Sequence, residues 1–188
     1  MKHCNAFIIG GSAGSLDVLL KVLPSLDLLL SFPIIIVLHR KPGTDNVLTG
    51  LLSSKTKLPV KEVEEKEKIN RSTIYIAPSD YHLLIENNKT FSLDASEKVN
   101  FSRPSIDVIF QSAAEVYRED LVCLLLSGSN NDGIEGLKKV KENGGMAIIQ
   151  NPLSAAVSYM PQQAALHVNI DEVLEIEDIA PYINQLSK

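Results

Sequence analysis

Three short stretches of this chain are apolar at almost every position: "AFIIG" (6–10), "PIIIVL" (33–38) and "LVCLLL" (121–126). A strand with one face in water alternates polar and apolar residues. A run this uniform, rich in Ile, Val and Leu, must be covered on both faces. Between and after these runs the apolar residues fall at helical spacing instead. One set is Leu16, Leu19, Leu20 and Leu23, stopped near Pro24; a second, after Pro42-Gly43, is Val47, Leu48, Leu51 and Leu52. A third, opening just after Pro104, is Ile106, Ile109, Phe110, Ala113 and Tyr117, and a fourth begins with Ile134, Leu137 and Val140. Each set lays one apolar stripe along a helix. Buried strands alternating with amphipathic helices predict a doubly wound α/β fold: a mostly parallel sheet with helices on both faces.

"LPVKEV" (58–63) is less apolar and belongs nearer an edge, and "GGMAIIQ" (144–150) is a further strand. The rhythm breaks at "TIYIAP" (73–78), "YHLLIE" (81–86) and "TFSLD" (90–94), which crowd together with Asn87-Asn88 as a turn between the last two. This cluster predicts a small antiparallel hairpin or meander inserted in the fold. A short helix is expected after Pro161, over 162–166, and a last one over 179–186, following "VNIDEVLE". No internal repeat or linker interrupts residues 1–188, so a single domain is expected.

With 45% hydrophobic residues in 188, the chain can bury a substantial core. Its net charge of −5 argues against nucleic acid as a partner, because displacing counterions needs a basic face. "KEVEEKEK" (61–68) mixes both signs and reads as a solvated face. No apolar run approaches the ~20 residues of a membrane span. "MKHCNAF" leads straight into a strand with no signal peptide. Cys4 and Cys123 have neither metal-ligand spacing nor a disulfide framework, and Cys123 reads as a small core residue. A reduced, cytoplasmic protein without metal or cofactor is the expectation.

In such sheets ligands bind beyond the carboxyl ends of the strands. Three polar residues stand there: Ser12 after "FIIG", His39 after "PIIIVL", and Asp132 after "LVCLLL" and a small-residue loop. Ser, His and acid are the parts of an activated serine nucleophile. Each also has a plainer reading. Ser12 suits a helix N-cap; His39 suits a hydrogen-bonded core position; Asp132, with Glu135 three residues on, resembles a capping box. Gly10, Ser12 and Gly14 fit G-x-S-x-G, the turn that exposes a nucleophile. The chain order Ser, His, Asp differs from the Ser, acid, His order of α/β-hydrolases. His3, His82 and His167 do not follow a buried parallel strand. The rival class is a binding module in which "GGSAGS" holds a phosphate or nucleotide. Against it, the lysine of G-x-x-x-x-G-K-[ST] is missing and G-x-G-x-x-G is not met.

Taken in order, "IIGGSAGS", "VLHRKPG", "YIAPSDYHLLI", "SRPSIDVIFQSAA", "LLLSGSNNDGIEGL" and "YMPQQA" resemble the catalytic domain of bacterial chemotaxis protein-glutamate methylesterases of the CheB type. The resemblance runs from about Ala6 to the final helix. It implies hydrolysis of glutamate γ-methyl esters on the cytoplasmic helices of methylated chemoreceptors, and in many members deamidation of receptor glutamines, with no metal or cofactor. It places the family's nucleophile, histidine and aspartate on Ser12, His39 and Asp132. A non-catalytic role docking on receptors is the alternative within the family. Two departures stand out: Ala13 replaces a common threonine, and Gly128, Ser129 and Asn130 replace a common Gly-Met-Gly whose methionine backbone is associated with the oxyanion site. The family's usual N-terminal receiver domain has no counterpart before residue 6, so the expectation is either a stand-alone enzyme or control by a separate receiver protein. Arg103, in "SRPSID", suits either a contact to an acidic substrate helix or a surface salt bridge.

Overall fold

The computed structural model describes residues 3–40 and 45–188. In chain order the elements are β1 (Ala6–Gly11), α1 (Ser15–Val22), β2 (Ile34–Leu38), α2 (Asp45–Ser53), β3 (Val60–Glu62), β4 (Ile74–Ile76), β5 (His82–Ile85), β6 (Phe91–Asp94), α3 (Ile106–Tyr117), β7 (Leu121–Leu125), α4 (Ile134–Glu142), β8 (Met146–Gln150), α5 (Tyr159–His167), β9 (Glu172–Leu174) and α6 (Ile176–Gln185). Seven strands form one sheet in the order β3-β4-β2-β1-β7-β8-β9, and every pairing in it is parallel. β5 and β6 form a separate antiparallel pair.

The uniformly apolar runs occupy the centre, where both faces are covered. Phe7 and Ile9 of β1, Ile34 and Ile36 of β2, and Val122 and Leu124 of β7 pack with α1, α2 and α6 through Val18, Leu19, Leu52 and Ile183. The alternate residues Ile8, Ile35 and Cys123 pack with α3, α4 and α5 through Ile109, Phe110, Leu137 and Met160. The strand period of two thus feeds two separate cores. The β5–β6 pair closes the second core with Leu83, Ile85 and Phe91. Cys123 is fully buried, and burial pushes its thiol well above the ordinary range, as a core cysteine requires.

The sequence reading differs from the structure in three places. "TIYIAP" is not part of a meander: β4 lies between β2 and β3 in the parallel sheet, with Ile74 and Ile76 in one core and Tyr75 in the other. Its closeness in sequence to the hairpin hid this. The short fifth helix begins at Tyr159, so Pro161 lies in its first turn, where a missing N–H costs nothing. The last helix begins at Ile176 and carries Pro181 inside it, held by buried Ile179, Ala180 and Ile183. Pro42-Gly43, expected to introduce the second helix, lies outside the described residues.

Candidate active site

The chain leaves β1 toward α1 on one face of the sheet and leaves β7 toward α4 on the other. Neighbouring strands whose connections diverge in this way open a crevice at their carboxyl ends. Ser12 follows β1, His39 follows β2, and Asp132 follows β7, so the topology brings the three expected residues to one edge. Backbone bonds tie the three strand ends together: Ser12 N–H donates to Ser127 O at 2.9 Å, and His39 N–H to Gly11 O at 3.1 Å.

Ser12 is not the cap of α1. That position falls to Gly14, whose φ of 84° is left-handed and tolerated by glycine, and whose Cβ would lie 2.7 Å from Ala156 Cβ. Ser15 holds the turn instead. Its buried Oγ accepts from Ser12 N–H at 3.2 Å and donates to Ser127 O at 2.8 Å. Ser127 Oγ in turn donates to Ala13 O at 2.7 Å and accepts from Val157 N–H at 2.8 Å. The Ser12 N–H is therefore already engaged, and Ser15 N–H donates to Ser12 O, which leaves the turn poorly provided to cradle a phosphate. Among the described residues the N–H groups of Ala13 and Ser129 make no hydrogen bond. Both are near Ser12: Ala13 follows it directly, and a Cβ on Gly128, which precedes Ser129, would lie 3.0 Å from Ser12 Cβ.

Asp132 is fully buried, and its carboxylate gathers five donors. Oδ2 takes His39 Nε2 and Ile106 N–H, both at 2.7 Å. Oδ1 takes Ser105 Oγ at 2.7 Å, Asp107 N–H at 3.0 Å and Asn100 Nδ2 at 3.2 Å. Asp132 is thus a helix cap, but of α3 rather than of the helix it precedes. Burial works against its charge. It is outweighed by the His39 hydrogen bond and the N–H groups of Asp107 and Ile106, which hold the carboxyl below its usual range. Asp107 returns the favour: its Oδ1 accepts Gly136 N–H in the first turn of α4 at 2.6 Å. The two helices come close enough for this exchange because residue 136 is glycine; a Cβ there would lie 2.6 Å from Phe110 Cβ and 3.1 Å from Asp107 Cα. Burial pushes the Asp107 carboxyl up to about 6, and the charge of Asp132 adds to this against the Gly136 and Asn100 donors.

The tautomer of His39 follows from its neighbours. Asn130 Oδ1 accepts Asp132 N–H at 3.1 Å, so its amide nitrogen is the atom 3.3 Å from His39 Nδ1. A donor facing Nδ1 makes that nitrogen the acceptor, so the ring proton sits on Nε2 and is given to Asp132. Ser102 Oγ also approaches Nδ1, at 3.5 Å. Ser12 and His39 share one wall of an apolar cavity of about 230 Å³ with Leu16, Leu38 and Leu48, but no hydrogen bond joins Ser12 Oγ to the ring. Sequence reading missed Ser15, Asn100, Ser105, Asp107, Ser127 and the side chain of Asn130. The only signal available was the clustering of Ser105 and Asp107 in "SRPSID" and of Ser127 and Asn130 in "SGSNND"; Ser15 and Asn100 lie in neither stretch. Arg103 is held in a salt bridge to Asp80 at 2.7 Å and by the carbonyls of Ala95 and Ser96. Among the described residues no group of His, Cys, Asp and Glu could hold a metal ion, and no helix is long and apolar enough to cross a membrane.

Known proteins are similar to this chain in sequence and fold. The model of the family described as CheB methylesterase matches residues 7–183. A Leptospira interrogans protein named as a candidate protein-glutamate methylesterase/protein-glutamine glutaminase is 45% identical over 183 residues, covering 97% of this chain and 95% of that protein. A protein-glutamate methylesterase/protein-glutamine glutaminase of Thermotoga maritima is 36% identical over 170 residues, covering 89% of this chain but 49% of its own length. The crystal structure of the Thermotoga maritima CheB methylesterase catalytic domain superposes with a TM-score of 0.93 at 34% identity, covering 97% of this chain and 98% of that one.

Proposed function

Because this chain belongs to the CheB methylesterase family, we propose that it hydrolyses glutamate γ-methyl esters on chemoreceptors, and deamidates receptor glutamines by the same chemistry, with Ser12, His39 and Asp132 as its triad. The observation that carries the residue assignment is the 2.7 Å bond from His39 Nε2 to the buried Asp132, with Asn130 fixing the tautomer. His39 Nδ1 is then the accepting nitrogen of a ring that lines one cavity with Ser12.

In the proposed reaction Ser12 Oγ attacks the ester carbonyl as its proton passes to His39 Nδ1. The imidazolium so formed is steadied by Asp132, whose charge is already favoured by its donors. Ser12 Oγ reaches Nδ1 by displacing the loose contacts from Ser102 and Asn130; catalytic hydrogen bonds commonly tighten only when substrate is bound. The N–H groups of Ala13 and Ser129 stabilise the tetrahedral oxyanion. Both donors are backbone, so the departures at Ala13 and Ser129 leave them in place. Methanol leaves with the proton from His39, and water, activated by the same nitrogen, cleaves the acyl-enzyme.

The test is methanol release from methylated chemoreceptor cytoplasmic fragments by wild type and Ser12→Ala side by side. Release by the wild type alone supports the reading. Equal release by both would remove Ser12 from the mechanism, and release by neither would remove the activity.

A further inference from the structure

Phe101 is 97% exposed, yet it belongs to a turn closed by a pair of backbone hydrogen bonds. Val99 and Ser102 exchange both backbone bonds, at 3.2 and 2.9 Å, around Asn100 and Phe101. Both central residues have positive φ, 50° and 61°. A two-residue loop with two left-handed residues is a type I′ hairpin, whose preferred sequence is Asn-Gly. Asn100 fits. Phe101 stands where glycine is favoured, in a conformation a bulky residue rarely adopts, and its side chain gains no burial in exchange. Isolated exposed hydrophobics are ordinary, but one held in a strained conformation beside a reactive site points to a use there.

The turn is fastened to that site from both sides of Phe101. Asn100 Nδ2 bonds Asp107 at 2.8 Å and Asp132 at 3.2 Å, and Ser102 Oγ approaches His39 Nδ1. Phe101 and Ser102 line a cavity of about 300 Å³ whose wall includes His39, so the aromatic ring adjoins the cleft that holds the histidine. Val47, another bare hydrophobic, lines the cavity on the Ser12 side. Lys98 lies in the same cavity as Phe101 and makes no ion pair with a described residue, whereas Arg103 there is tied to Asp80.

We infer that the Val99–Ser102 turn is a docking finger. Phe101 packs against the apolar side of the helix that carries the ester, and Lys98 faces that helix's carboxylates. The inference rests on the proposed methylesterase reading and names how its protein substrate is held. A side chain of glutamate length reaching Ser12 brings its parent helix against the rim of the cleft, and an aromatic anchor with a cation beside it matches an amphipathic, glutamate-bearing surface. Phe101 touches no reacting group. It determines which esters are presented, not how they are cleaved.

Wild type, Phe101→Gly and Phe101→Leu would be compared for methanol release from a methylated receptor fragment and from N-acetylglutamate γ-methyl ester. The small ester reaches Ser12 without reaching the turn. Phe101→Gly relieves the backbone strain, so it folds, and it should raise KM on the fragment about tenfold or more while kcat/KM on the small ester stays within about twofold. Phe101→Leu should recover much of the fragment's KM. An unchanged KM on the fragment, or an equal loss on both substrates, would overturn the inference. So would a wild type that dimerises in sedimentation and is made monomeric by Phe101→Gly, because the finger's occupant would then be a second copy. A fragment that is cleaved with a KM unchanged by Phe101→Gly refutes the docking alone; wild type silent on the fragment refutes the proposed function and the docking with it, and activity on the small ester would then leave only an esterase of other substrate.

Discussion

Replacing Asp132 by asparagine tests mechanism and fold with one atom. The carboxylate has two oxygens and five donors pointing at them. An amide keeps one oxygen, so its NH₂ must face either His39 and Ile106 N–H, or Ser105, Asp107 N–H and Asn100. The first orientation forces His39 to accept at Nε2 and carry its proton on Nδ1, where it cannot take a proton from Ser12. The expected fall in kcat is on the order of 10⁴. The second orientation leaves the Asp107 N–H without its acceptor, at roughly 1–3 kcal/mol. Either way α3 loses a charged cap, worth about 1 kcal/mol, so a total loss of about 2–4 kcal/mol at pH 7 is expected. The sign with pH follows. The folded carboxyl lies below its ordinary value of 3.8. Its stabilisation is therefore present above that value and lost as pH falls through the lower folded one. Asp132→Asn should lack that acid-side loss. Urea midpoints across pH, beside methanol release, measure both parts. A folded variant losing less than about tenfold in kcat would refute the tautomer argument, and an unchanged midpoint would refute the cross-helix cap.

Other outcomes are expected. Asp107, pushed up to about 6 from 3.8, contributes stability that is complete below its unfolded value and lost as pH rises through about 6. At about 1.4 kcal/mol per pH unit this is about 3 kcal/mol, and Asp107→Asn should flatten the decline in urea midpoint over that window. Ser129→Pro removes a proposed oxyanion donor and should cost on the order of 10²–10³ in kcat, while Ser129→Gly, which keeps the N–H, should leave kcat nearly unchanged. Ser15→Ala breaks the bonds to Ser12 N–H and Ser127 O; a loss of about 1–2 kcal/mol in urea unfolding should accompany reduced turnover. Phe101→Gly should raise the unfolding free energy by about 0.5–1 kcal/mol by removing a left-handed aromatic residue, and an unchanged or lower value would deny the strain.

The sequence by itself determined the layers and the edge of the sheet where chemistry can sit. Runs such as "PIIIVL" have no polar face to offer water, so they must be central parallel strands, and the polar residues that follow them must gather at their carboxyl ends. Ser12, His39 and Asp132 were legible for that reason. Tertiary structure decided what each of them touches. Whether Asp132 caps its own helix or another depends on how closely α3 and α4 approach, and that is set by Gly136 against Phe110. β4 joined the parallel sheet because both its faces found a core, although its sequence neighbours form a hairpin. Asn130 and Asn100 are ordinary loop residues in the sequence. Their roles toward His39 and Asp132 exist only once segments about 90 and 30 residues away are folded against them, because hydrogen bonds of that kind have no periodicity to read.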